Sequence, residues 1–225
     1  MLGFRTALAA VGTLVVLTAA AAAQQQPPKP SPTAAGAART PSAQTGGVSG
    51  RLLVGDGLRL PEMLLFLEST DPNFRFTPPR QPVVVSQQKA TFRPALIIVP
   101  AGSKVDFRND EKGPVEHNVF SKSEAKKFDL GLYRPEDPID PVTFDTPGPV
   151  RLRCSIHRYM DGVVYVTPTP YFAVVDKEGR FDIAGVAPGT YRIKSWQRSQ
   201  RFKEIDMPIT VTAGKPLSVN VSLAR

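Results

Sequence analysis

Two sulfur-containing side chains and one imidazole lie within one short segment of this sequence. The single cysteine, Cys154, is followed by His157 and Met160, which gives the spacing C-x2-H-x2-M. The other histidine, His117, lies well upstream in the segment EHNVF. A thiol, a thioether and two imidazoles could therefore converge on one metal ion if the fold brings the two segments together.

The counts of cysteine and histidine restrict what such a site can be. One cysteine excludes an intramolecular disulfide framework, a four-cysteine zinc site, a CxxC redox pair and a binuclear copper site with two thiolates. Two histidines are too few for the centre of a multicopper oxidase. Sulfur ligands suit Cu(I) and imidazoles suit Cu(II), so a trigonal His2Cys set with a weak axial Met accommodates both states. The donors favour a mononuclear copper site.

The simpler interpretation of each candidate ligand is structural, because a lone cysteine or methionine is more often a core residue.

Enzymatic hydrolysis has no support, since the acidic pairs Asp110-Glu111 and Glu136-Asp137 fall in predicted turns and no nucleophile has a positioned base. With all four copper positions filled by protein, no open position remains for a substrate. We therefore expect no enzyme.

The elements around these residues are predicted to be short strands. The sequence holds 23 prolines and 17 glycines, and 41% hydrophobic with 21% charged residues is typical of a soluble globular chain. One helical turn is expected near Ser121–Lys127. The apolar runs that predict strands are Val83–Val85, Leu96–Val99, Val105–Phe107, Asn118–Phe120, Val142–Phe144, Val150–Leu152 and Val163–Val166.

This pattern predicts an all-β chain of two domains. A Greek-key β-sandwich is expected over residues 48–168, followed by a small antiparallel β-sandwich over residues 169–225, with the alternative that residues 48–70 pair with the C-terminal unit. The loop between Val150–Arg153 and Val163–Val166 can turn Cys154, His157 and Met160 toward one point. His117 can approach from a neighbouring strand.

The first 47 residues are interpreted as an export signal and a linker. Arg5 precedes an apolar stretch, and Ala21-Ala22-Ala23 forms a small-residue cleavage site before Gln24, which predicts a signal peptide over residues 1–23. Residues 24–47 are rich in Pro and Ala and are expected to be a disordered linker. The mature chain would then be periplasmic or secreted, without a membrane span.

The charge of the chain is +8, from 28 basic and 20 acidic residues. Arg192, Lys194, Arg198, Arg201 and Lys203 follow one another without an intervening acid, which predicts either a binding surface for an acidic protein or a membrane surface, or, as is more common for such runs, a solvated face of a basic domain. Nucleic acid is not expected as a partner of an exported chain without a nucleic-acid-binding motif.

The stretch from Phe92 to Val166 resembles the cupredoxin, or small blue-copper, family. The C-x2-H-x2-M spacing is similar to that of amicyanin and shorter than that of plastocyanin. The segments that carry the resemblance to plastocyanin, pseudoazurin and amicyanin are Phe92-Arg93-Pro94, Val99-Pro100-Ala101-Gly102, Val105-Asp106-Phe107, His117-Asn118-Val119 and Pro147-Gly148.

The resemblance implies that His117, Cys154, His157 and Met160 are the ligands of one type 1 copper. It also implies that Asn118 directs its backbone N–H toward the Cys154 sulfur while its side chain ties the two ligand loops. The tail from Tyr171 onward resembles the carboxypeptidase-regulatory-like, transthyretin-type sandwich. These sandwiches say little about function by themselves.

The expected function is one-electron transfer between periplasmic redox partners, one of which would be acidic. Two alternatives stay open on the sequence alone. The chain could store, deliver or sense copper, or it could be a metal-free adhesion or scaffold protein built on two sandwiches. Arg158 and Tyr159 lie beside the expected ligand His157, and Arg158 puts a charge where soluble carriers often present an apolar surface.

Overall fold

The computed structural model describes residues 44–55 and 58–224, and these residues form strands, turns and loops without any helix. The expected signal peptide, its cleavage site and most of the expected linker lie outside the described residues. The first eight strands are β1 (Gly46–Leu53), β2 (Met63–Ser69), β3 (Val83–Gln87), β4 (Phe92–Arg93), β5 (Leu96–Pro100), β6 (Ser103–Asn109), β7 (His117–Ser123) and β8 (Lys126–Tyr133). The other eight are β9 (Val142–Phe144), β10 (Gly148–Arg153), β11 (Asp161–Thr167), β12 (Phe172–Val174), β13 (Arg180–Val186), β14 (Gly189–Gln197), β15 (Asp206–Val211) and β16 (Pro216–Ser222).

The all-β class predicted from the sequence is confirmed, but the expected helical turn near Ser121–Lys127 is wrong. That segment is a hairpin in which β7 and β8 pair antiparallel and Ser123 lies opposite Lys126. Its side chains alternate between the core and solvent, with Ser121 buried and Lys122 exposed, which is the period of a strand. The described residues contain no segment that could cross a membrane as a helix.

The strands form four sheets. Their strand orders are β4-β3-β6-β9, β5-β11-β10-β7-β8, β12-β2-β14-β15 and β13-β1-β16. The first two sheets enclose one apolar core and the last two enclose another. We call the first pair the cysteine sandwich, since it carries Cys154, and the second pair the flanking sandwich.

The flanking sandwich is built from both ends of the described chain. β1 pairs antiparallel with β13 and parallel with β16, and β2 pairs with β12 and β14. Residues 46–69 therefore belong to the sheets of the C-terminal strands, and the cysteine sandwich is inserted between β2 and β12. This arrangement corresponds to the alternative in which residues 48–70 pair with the C-terminal unit.

A third apolar core joins the two sandwiches face to face. Leu64 and Phe66 on β2 and Tyr165 on β11 are buried there. Their neighbours along each strand point the other way, since Leu65 belongs to the core of the flanking sandwich and Val164 to that of the cysteine sandwich. β2 and β11 are thus covered on both faces, which is why both read as nearly continuous apolar runs.

Candidate metal centre

Three strand ends bring the predicted ligands together at one edge of the cysteine sandwich. His117 is the first residue of β7, Cys154 directly follows β10, and Met160 directly precedes β11. β10 pairs with β11 along its whole length and with β7 where Arg153 lies opposite Phe120. Neighbouring antiparallel strands start and end at a common edge, so the loop from Cys154 to Met160 lies beside the start of β7.

The donor atoms of three residues converge. The Nδ1 atoms of His117 and His157 are 3.1 Å apart, and the Cys154 Sγ is 3.7 Å from the His157 Nδ1. One ligand atom from each of His117, Cys154 and His157 lies within 4.8 Å of the others. They form the only such cluster of three metal-binding side chains within residues 44–55 and 58–224.

These separations fit a trigonal metal ion. Bonds of about 2.0 Å to nitrogen and about 2.3 Å to sulfur at about 120° place two nitrogens about 3.5 Å apart and a sulfur about 3.7 Å from a nitrogen. The observed 3.1 Å and 3.7 Å are close to these values. The donor set is soft sulfur plus imidazole, which suits copper or zinc better than calcium or magnesium.

The cluster is open to solvent on one side only. His117 and Met160 are fully buried, Cys154 is nearly so, and His157 is half-buried. The backbone N–H of Met160 donates to the His157 carbonyl at 2.9 Å, which closes the loop into a tight turn. Met160 lies in the same apolar core as Cys154. A partner could therefore reach the cluster through the edge of His157.

Glu111 fixes the orientation of the buried histidine. Its Oε1 lies 3.1 Å from the Nε2 of His117. Burial by itself raises the pKa of the Glu111 carboxyl, but hydrogen bonds from the Ala90 N–H, the His117 ring and the Lys89 backbone hold it below its usual value overall. An ionised Glu111 favours the tautomer with the proton on Nε2, so the lone pair of His117 Nδ1 faces the cluster.

With the His117 proton on Nε2, the two imidazoles of His117 and His157 can bind a cation between their Nδ1 atoms. Two unprotonated Nδ1 atoms 3.1 Å apart would direct their lone pairs at each other. Either His157 donates a proton to His117, or a metal ion takes the place of that proton. A ring held by a carboxylate, with its second nitrogen aimed at a metal, is a common arrangement in metal sites.

Asn118 ties the two ligand segments together through its side chain. Its Oδ1 accepts a hydrogen bond from the Ser155 N–H at 3.2 Å, next to the cysteine. Its Nδ2 donates to the Asp129 carboxylate at 2.7 Å and to the Gly131 carbonyl at 3.0 Å. The residue after His117 thus holds the residue after Cys154.

Tyr133 and Gln87 support the cluster from the core and were not found by sequence reasoning. Tyr133 lies opposite His117 in the β7–β8 pair. Gln87 Nε2 donates to the Tyr133 hydroxyl, which in turn donates to the Phe107 carbonyl at 3.1 Å. Burial raises the pKa of Tyr133 far above its usual value, so the hydroxyl stays protonated and acts as a structural donor.

The cations between residues 192 and 203 do not form one free patch. Arg192 pairs with Asp206, Lys194 with Glu68, and Arg198 with Asp161, the residue after Met160. The acids that neutralise them are absent from the local sequence because they come from other strands or loops. Arg201 and Lys203 make no ion pair with any residue that the structure describes.

Comparisons with known proteins give one family model and a set of solved structures. The model described as Polysaccharide lyase family 4, domain II, matches residues 166–219, which is not the carboxypeptidase-regulatory-like sandwich that the tail was expected to resemble. No curated protein matches the sequence.

The solved structures similar to this chain include three copper or cupredoxin proteins. A Cu-containing nitrite reductase from Thermus scotoductus SA-01 matches 44% of this chain at 23% identity, with a TM-score of 0.37, over a quarter (25%) of its own length. A purple cupredoxin from Nitrosopumilus maritimus matches 38% of this chain at 22% identity and a TM-score of 0.33, over 99% of its length. A reduced amicyanin variant matches 39% at 21% identity and a TM-score of 0.33, over 84% of its length.

Proposed function

We propose that the chain holds one copper ion with His117, Cys154, His157 and Met160 and carries single electrons between exported redox partners. The observation that carries this proposal is the convergence of two imidazole Nδ1 atoms and the single thiol at the edge of the cysteine sandwich. Copper bound there would supply the Cu(II)/Cu(I) couple.

The residues around the cluster favour a rigid site over a reactive one. Glu111 and Asn118 hold His117 and the loop after Cys154 in place without the ion, so the donors need to move little when the charge of the site changes. The buried faces of Met160 and Cys154 exclude water from the inner side. With Met160 as the fourth donor, the proposed site has no open position, which favours electron transfer over catalysis on a bound substrate.

The edge of His157 is the proposed point of contact with a redox partner. Ile156 and Tyr159 flank it, with 50% and 72% of their surfaces exposed, and the Tyr159 ring lies 6.1 Å from the His157 ring. A half-buried imidazole between exposed apolar side chains gives a short route from the protein surface into the cluster.

The test is the visible spectrum of the full chain loaded with copper. We expect an intense thiolate-to-copper absorption band at one copper per chain, and Cys154→Ser is expected to abolish the band while the far-UV circular dichroism stays unchanged. A hydroxyl is a much poorer donor to copper than a thiolate. A Cys154→Ser variant that retains the band would overturn the ligand assignment.

Met160→Gln, with Met207→Gln as its matched control, tests the axial ligand. Met207 is exposed on the flanking sandwich, whereas Met160 is fully buried beside Cys154. We expect Met160→Gln to keep the colour and lower the reduction potential, because a harder oxygen donor favours Cu(II). An equal reduction potential in both variants would show that Met160 is not a copper ligand.

Rapid loss of copper from the parent protein to a weak chelator would favour copper delivery over electron transfer.

A further inference from the structure

A cavity of about 280 Å³ opens beside the core that joins the two sandwiches. Tyr165 of the cysteine sandwich and Phe66 of the flanking sandwich are among the residues that line it, and neither belongs to the metal centre. Its walls come from both sandwiches, so it exists only because they pack against each other. This cavity has no role in the proposed copper site.

The lining of this cavity is acidic in a chain whose net charge is +8. Glu68, Glu204 and Asp206 line it, and Lys194 is the one cation among its lining residues. Lys194 pairs with Glu68, and Asp206 pairs with Arg192 outside the cavity. Glu204 is exposed and has no ion-pair partner among the residues that the structure describes, so its carboxylate is available to a cation.

A hydroxyl group that has no hydrogen-bond partner among the described residues belongs to one of the lining residues. Tyr165 is 7% exposed, and its hydroxyl makes no hydrogen bond with any described residue. A tyrosine hydroxyl can both donate and accept a hydrogen bond, so this group can bind a ligand in the cavity. Burial, together with the charges of Glu204 and Glu68, raises the pKa of Tyr165 to about 12, so the group stays neutral.

The aromatic rings at the cavity are held rigidly. The Tyr165 ring lies 5.4 Å from that of Phe66 and 4.9 Å from that of Trp196. Aromatic faces beside a carboxylate attract organic cations, because the ring quadrupole and the negative charge act in the same direction.

We propose that this cavity binds a small primary ammonium compound, with the Glu204 carboxylate as its counter-ion, the Tyr165 hydroxyl as a hydrogen-bond acceptor and the Phe66 ring against its alkyl part. A metal ion is the weaker alternative, because the carboxylates at the cavity do not converge as the His117, Cys154 and His157 donors do. A neutral polyol would make no use of the Glu204 charge.

The test is titration of the full chain with butylammonium chloride, followed by calorimetry and by the fluorescence of Trp196. Trp196 is the only tryptophan of the sequence and packs on Tyr165, so it reports on the cavity. We expect saturable binding that Glu204→Gln weakens at least tenfold and Tyr165→Phe weakens about threefold. The matched control is Glu178→Gln, an exposed carboxylate paired with Arg180 in a turn that does not line the cavity.

Several results would overturn the proposal. They are the absence of saturable binding, equal binding of 1-butanol, and unchanged binding in Glu204→Gln. Binding of calcium chloride or cellobiose in place of butylammonium would contradict the ligand class. The same titration of the copper-free Cys154→Ser variant should give the parent affinity, so failure here and failure of the copper proposal are distinguishable.

Discussion

At the scale of single residues, the least obvious member of the metal centre is an acid in a turn. Glu111 would be assigned to solvent on its sequence context, yet its carboxylate accepts the ring N–H of a fully buried histidine. Two backbone N–H groups, of Lys89 and Ala90, hold that carboxylate in turn. The orientation of one metal-facing nitrogen thus depends on a turn between β3 and β4.

Replacement of Glu111 should weaken the copper site without removing it. In Glu111→Gln the amide can no longer provide a charged acceptor for the His117 N–H, so the ring loses its preferred tautomer. We expect copper affinity to fall by about 10- to 100-fold, the usual effect of changing a group that holds a metal-bound histidine. Competition with a chelator of known affinity measures the change.

The control for this prediction is Glu116→Gln. Glu116 is adjacent to His117 and pairs with Arg134 at the surface, so it carries the same charge near His117 while its carboxylate is engaged elsewhere. Its replacement should leave the copper affinity within about twofold of the parent value. Equal losses in both variants would show that net charge, and not the hydrogen bond to His117, determines the affinity.

At the scale of elements, the strands were predictable and their pairing was not. The seven apolar runs named in the sequence analysis all fall within strands, because short runs of β-branched and aromatic residues between turn residues are a local signal. The parallel pairing of β1 with β16 joins the two ends of the described chain, and no local pattern carries that information.

The role of Glu111 could not be predicted from the sequence either, because it depends on a contact between segments that are distant in the chain. The turn that holds it places Lys89 and Ala90 at positive φ values of 54° and 48°. Such turns normally show themselves by Gly or Asn, and this one has neither. The four proposed ligands were predictable because they are rare residue types at a recognisable spacing. The groups that orient them are common residue types and become visible only in three dimensions.

The close approach of β1 and β16 gives a prediction about one glycine. A Cβ atom at Gly50 would lie 1.8 Å from the Val219 carbonyl oxygen and 2.6 Å from its carbonyl carbon, both backbone atoms. Gly50→Ala must therefore push the two strands apart. We expect it to lower the free energy of unfolding by at least about 2 kcal/mol, as measured by urea denaturation.

Gly47→Ala in the same strand is the matched control. A Cβ atom there would lie 3.9 Å from its nearest neighbour, the Ile183 carbonyl oxygen, which is an ordinary contact. Its stability should stay within about 0.5 kcal/mol of the parent or rise slightly, because alanine is less flexible than glycine in the unfolded chain. Similar losses for both variants would mean that the strand tolerates no side chain anywhere, and the specific contact with Val219 would not be the cause.

At the scale of the whole molecule, three apolar cores follow one another through four sheets. The middle core is formed by β2 and β11. The opposite face of β2 packs in the core of the flanking sandwich, and the opposite face of β11 packs in the core of the cysteine sandwich. Loss of packing in either sandwich should therefore lower the stability of the other. We expect the candidate metal centre, at an edge of the cysteine sandwich, to depend on the flanking sandwich in the same way.

Coupled unfolding of the two sandwiches is the prediction at this scale. Leu64 is fully buried in the middle core, and Leu64→Ala should lower the free energy of unfolding by about 3 kcal/mol through lost burial and the cavity left behind. Copper absorption reports on the cysteine sandwich, and Trp196 fluorescence reports on the middle core. When urea unfolding is followed by both signals, we expect the two transitions to coincide in the parent and in the variant. Leu53→Ala, at a leucine with 47% of its surface exposed, is the control and should change stability by less than about 1 kcal/mol. Two separate transitions in the parent, with Leu64→Ala shifting only the one seen by Trp196, would show that the sandwiches unfold independently and that the middle core does not couple them.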